Sequence, residues 1–185
     1  MVLVLLALAC APKSPEPAAA GAPAAAPVAA LPDGTLPRPF TAGQLHDALP
    51  HGSRIVLSVA AAGQPTVERR FTFVDPTDTT TTVVTEVWAD GARVGEAERE
   101  SVAWADLVEH AAFPAAAATR TDTVVDVPLG HLDAWLYTVT EVGDDGVPTV
   151  SRYWFARSLP GPPVLFTVER GGVEVMRLAQ VARGP

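Results

Sequence analysis

Between residues 53 and 181, apolar and polar positions alternate in short runs separated by turn residues. In 53–61, Ile55, Leu57 and Val59 share one face. In 66–74, Val67, Arg69, Phe71 and Phe73 alternate with Glu68, Arg70 and Thr72. A period of two with one mostly apolar face marks a half-buried antiparallel strand. Residues 79–89 are rich in threonine and valine, whose branched Cβ suits an extended chain. Asp90-Gly91 follows directly and predicts a two-residue hairpin, with 92–98 pairing back.

Further on, 121–127 predicts another strand. The run 131–142 places Trp135, Tyr137 and Val139 on one face and Leu132, Ala134 and Leu136 on the other. Gly143-Asp144-Asp145-Gly146 has turn composition, 147–156 returns, and Pro160-Gly161 suits a type II turn. In 164–169, Val164, Phe166 and Val168 alternate with Leu165, Thr167 and Glu169, and Gly171-Gly172 predicts a hairpin onto 173–181.

Helical signals are fewer. Thr41 can cap a short helix over 42–49, which Pro50 and Gly52 stop. Ser101 can cap a second over 102–113, with Trp104, Leu107, Val108 and Ala111 at helical spacing. Together these elements predict a mainly β domain over residues 40–185. It is a single, strongly curved antiparallel sheet, a half-barrel of about eight strands, with one or two short helices packed on it.

Residues 1–9 depart from this alternation. They are apolar throughout and end in a small residue before Cys10, the chain's one cysteine. The run is shorter than the roughly 20 residues of a membrane-spanning helix and suits the apolar region of a signal peptide. A cysteine after a small residue at such a boundary resembles the lipobox of bacterial lipoproteins. Ala7 stands where that pattern favours leucine, with Leu6 and Leu8 flanking it, and no basic region precedes the run, which points to a start upstream of Met1. The resemblance implies lipidation of Cys10 and a membrane anchor of more than one acyl chain, far firmer than one chain alone. A plain cleaved signal that happens to contain a cysteine is the alternative.

Residues 10–39 carry the lipidation site and then a stretch built mostly from alanine and proline, with no aromatic residue before Phe40. Repeated prolines stop a helix, so this stretch predicts an extended, flexible tether. Ala11 and Pro12 follow the cysteine with no aspartate. By resemblance to enterobacterial sorting signals, that implies an exported protein held at the outer membrane more than the inner, its domain facing the periplasm or the cell surface. With 1–39 set aside, about 145 residues remain, enough for one buried core.

The net charge of −8 disfavours nucleic acid as a partner and offers no polybasic handle for anionic lipid. A single cysteine permits no intrachain disulfide. Catalytic and metal chemistry find little support. His46 and His51 are separated by Pro50, His110 follows Glu109 at a helix end, and His131 opens a strand. Asp144 and Asp145 lack further ligands at calcium-binding spacing. Ser151 and Ser158 sit in no nucleophile motif, and no phosphate-binding glycine loop is present. The expectation is a non-catalytic protein without cofactor or metal. Trp88, Trp104, Trp135, Tyr137 and Trp154 are candidates to line an apolar pocket; the same aromatics are also what a small antiparallel core uses.

Three local features carry a wider resemblance. These are Val127-Pro128-Leu129-Gly130 entering a strand, the run from Arg152 to Val164 with its Tyr153-Trp154 pair and proline bend, and the Gly171-Gly172 hairpin onto the last strand. In that order, over about a third of the chain, they resemble the closing half of the half-barrel domains typified by the lipoprotein localisation carriers. In that family a curved sheet and covering helices enclose an apolar cavity for acyl chains. The resemblance implies a lipid or other apolar ligand on the concave face. A protein-interaction or envelope-structural module with a filled core is the alternative, and a hydrolase stands third.

Overall fold

In the computed structural model, which describes residues 29–31 and 34–184, Asp90 and Gly91 both take positive φ, 49° and 77°. This is type I′ geometry, whose twist matches the strands it joins. It links β3 (Thr80–Ala89) to β4 (Ala92–Ala103). Gly171 and Gly172 repeat the device, at 59° and 82°, between β8 (Leu165–Arg170) and β9 (Val173–Gly184). The remaining strands are β1 (Arg54–Ala61), β2 (Val67–Val74), β5 (Ala118–Val127), β6 (Gly130–Val142) and β7 (Pro148–Ala156).

All nine strands form one antiparallel sheet in the order β4-β3-β2-β1-β9-β8-β7-β6-β5. The count agrees with the expected sheet of about eight strands, and each of the nine corresponds to a strand-like run in the sequence. Every neighbouring pair but one is consecutive in sequence. The exception is β1 with β9, which joins the two halves at the middle of the sheet. β4 and β5 therefore become opposite edges, although only α2 (Trp104–Glu109) and a short connection separate them along the chain. The sheet is open yet strongly curved. β5 comes within 8 Å of β9 between Cα atoms, although four strand spacings of about 4.8 Å separate them in the sheet order.

One face holds the main core. Ile55, Leu57, Phe73, Tyr137 and Phe155 from the strands meet Leu45, Leu49, Trp104 and Phe113 from the helices and their flanks. The helix α1 (Ala42–Ala48) begins with a capping box. Thr41 Oγ1 accepts from the Gln44 amide, and the Gln44 side chain accepts from the Thr41 amide. On the opposite face Val125, Ala134, Ala156, Val164 and Leu165 form a smaller cluster. The split between Trp135, Tyr137 and Val139 on one side and Leu132 and Ala134 on the other follows the predicted alternation.

Two expectations need correction. Ser101 caps no helix: it lies inside β4 opposite Thr82, and pairing continues to Ala103 opposite Thr80. The ladder with β3 satisfies these backbone groups, so α2 starts only at Trp104, has no side-chain cap and stops at Glu109. The packed region also begins before Phe40. Thr35 bridges to Pro114, the Leu36 amide donates to the Phe113 carbonyl at 2.8 Å, and Leu36 is buried. Residues 34–39 are thus part of the folded unit. The signal-like run 1–9, Cys10 and the tether as far as residue 28 lie outside the described residues.

Candidate functional site

Between the main face of the sheet and the two helices lies a cavity of about 610 Å³. Its floor is β-sheet: Leu57 of β1, Phe71 and Phe73 of β2, and Val83 of β3. Period-two alternation puts these side chains on one face, since Phe71 opposes Thr85 and Phe73 opposes Val83 across the β2–β3 ladder. Leu45 and Leu49 of the α1 region and Leu107 and Val108 of α2 form the roof. Tyr153 and Phe155 of β7 close one side, and Pro162 and Pro163 of the proline bend close an end.

Polar groups are confined to a few positions. Glu98 and Glu100 of β4 line the cavity with Thr85 and His110, and both glutamates are solvent-exposed, so they belong to its opening. They lie opposite Thr85 and Val83 on the edge side of the sheet. No lysine or arginine is among the lining residues. The Tyr153 hydroxyl is held protonated to higher pH than usual, chiefly by burial. The arrangement suits the sequestration of an apolar body with one end near carboxylates.

The five aromatic residues expected to line a pocket are not brought together, and none lines this cavity. Trp88 lies beneath the Arg70 guanidinium, whose carbon is 3.8 Å from the ring centroid. Trp104 is buried, stacks on Phe73 and donates its indole N–H to the Thr77 carbonyl at 2.9 Å. Trp135 meets Phe40 edge-on and carries Arg120 and Arg157 against its ring. Tyr137 is wholly buried beside Phe113 and donates to the Pro37 carbonyl. Burial pushes its hydroxyl pKa up to about 12, with Arg120 acting weakly the other way. Trp154 packs against the smaller cluster on the other face.

Alternation carried a signal for two of these. Trp154 lies between the inward residues Tyr153 and Phe155, so it points outward, and Trp88 opposes outward-facing Glu68. Glu98 and Glu100 were missed because β4 was read as ending at Glu98.

Among the histidines, His46 lies edge-on to Trp104 and beside Asp47, His51 lies near Asp75, and His131 pairs with Asp126. Among the described residues no group of three or more His, Cys, Asp or Glu is arranged to hold a metal ion. No described helix is long and apolar enough to cross a membrane.

The fold and cavity therefore define an open, curved antiparallel sheet that encloses an apolar chamber under two short helices. Comparison of the chain with protein-family models, curated proteins and solved structures finds no match.

Proposed function

We propose that this protein is a non-catalytic binding domain that holds a lipid or another apolar small molecule in the chamber between sheet and helices. The observation that carries the reading is the chamber itself. At about 610 Å³ and lined mainly by Leu, Val, Phe and Pro side chains, it falls within the roughly 300–1,000 Å³ of small-molecule sites. An apolar lining exposed to water is costly, and a ligand that covers it recovers that free energy. The test is displacement of the neutral fluorescent probe N-phenyl-1-naphthylamine by long-chain alcohols, with Val83→Phe as the variant that fills the chamber. Displacement from the wild type, lost in the variant at unchanged circular dichroism, is the expected result. Absence of probe binding and of displacement would overturn the reading.

The N-terminal pattern extends the proposal to location. Cys10, following an apolar run and a small residue, would be acylated, and the Ala/Pro-rich stretch after it would tether the domain to the outer membrane. Metabolic labelling with a fatty acid tests this: the wild type takes up label and Cys10→Ser does not. An unlabelled wild type would remove the anchor from the proposal.

A further inference from the structure

The charge around the opening selects among apolar ligands, and we infer that the chamber takes an amphiphile with a cationic amine end rather than an anionic one. The inference rests on the reading of the chamber as a ligand site and adds the chemistry of the ligand's polar end. Glu98 and Glu100 are two apart on β4, so their side chains emerge on the same face, and both line the chamber. Arg99 between them emerges on the other face, opposite Val84, and is not a lining residue.

Acids elsewhere divide between those paired with arginine and those, such as Asp78 and Glu96, left to water. Glu68, Glu86, Asp122, Glu169 and Glu174 each lie against an arginine. The side-chain carboxylates of Glu98 and Glu100 have no ion-pair or hydrogen-bond partner among the described residues. Two unneutralised carboxylates on neighbouring same-face positions repel each other, and the net charge of −8 adds to that field. A fatty-acid carboxylate or a lipid phosphate entering here would meet these two like charges, with no arginine or lysine to offset them and only Thr85 and His110 as further polar groups at the opening. An alkylammonium would place its chain on Leu57, Phe71 and Phe73 and its three N–H donors among acceptors otherwise left to water. Chamber and charge are thus complementary to one kind of molecule.

The experiment compares dodecylamine, dodecanol and dodecanoic acid, each below its micelle concentration, as displacers of N-phenyl-1-naphthylamine from the wild type and from a Glu98→Gln/Glu100→Gln variant. The amine should displace at about tenfold lower concentration than the acid, as expected for two solvent-exposed charge contacts that attract the amine and repel the acid. The double variant should bring the two together and leave dodecanol unchanged, which also reports that the chamber is intact. Equal displacement by amine and acid in the wild type would overturn the inference and leave the chamber as a ligand site. A preference that survives in the double variant would overturn it too, by assigning the selectivity to the charge of the whole protein. Failure of all three compounds would overturn both the ligand site and this inference.

Discussion

The Tyr137 hydroxyl donates a hydrogen bond to the carbonyl oxygen of Pro37, 100 residues earlier in the chain. The bond fastens the segment that enters the domain to the main face of the sheet, beside Phe113 and Phe155. Tyr137→Phe keeps the ring packing and leaves the Pro37 carbonyl without this donor. The expected cost is about 1–2 kcal/mol in urea denaturation. Faster amide exchange at Leu36, whose N–H is bonded to Phe113, should accompany it.

Tyr137 also sets an alkaline limit. Its pKa rises to about 12 in the folded protein, against about 10 in the unfolded chain. Below pH ~10 both states carry the proton and its contribution is intact. Between pH ~10 and ~12 the unfolded state loses the proton first, so stability falls as pH rises. Burial raises the Tyr153 pKa as well, which adds a slope of the same sign. Urea midpoints measured across this range should decline, and Tyr137→Phe should make the decline shallower. A profile unchanged by the substitution would refute the assignment.

Trp104 should be the most sensitive side chain in α2. It is only 1% exposed, is stacked on Phe73, and is bonded through its indole to Thr77. Trp104→Ala should cost about 3–5 kcal/mol, because the large void cannot fully collapse. Trp104→Phe retains part of the packing but orphans the Thr77 carbonyl, at about 1–3 kcal/mol. Thermal melts should rank the two in that order.

The proline bend has its own constraint at Gly161. Its φ is +151°, and a Cβ there would stand 3.2 Å from Arg183 Nη1. That guanidinium donates to the Pro160 carbonyl at 2.6 Å and to the Leu159 carbonyl at 3.3 Å, so it cannot move away without losing these bonds. Gly161→Ala should destabilise by about 1–3 kcal/mol. Combined with Arg183→Ala the two losses should sum to less than their separate values, since both act on one contact. Additivity in a double-mutant cycle would refute the coupling.

Elements defined by local chemistry were readable along the chain. Asp90-Gly91 and Gly171-Gly172 supply the positive φ of two-residue hairpins, and Thr41 with Gln44 forms the box that starts α1. The alternation of Phe71 and Phe73, or of Trp135 and Tyr137, assigned faces correctly. Reading failed at Ser101, where a local preference lost to a cross-strand pairing. A serine can cap a helix, but Thr82 across the ladder offered the backbone a better partner.

The apolar chamber was much less legible. Large aromatics were the natural candidates for a lining, yet Phe113, Phe40 and Leu36 fill the half of the sheet that holds Trp135 and Tyr137. The unfilled half is floored by Leu57, Phe71, Phe73 and Val83. Alternation tells which side of a strand is buried but not what covers it, because the covering residues are remote in sequence.

By itself, the sequence determined the strands, the two hairpin turns, the first helix and the inward faces, since each follows from contacts within a few residues. Tertiary structure alone decided that β1 pairs with β9, that β4 and β5 become the two edges, and that Glu98 and Glu100 stand without arginine partners at an apolar chamber. Those outcomes depend on the curvature of the whole sheet and on where two short helices come to rest. No single stretch of the chain encodes either.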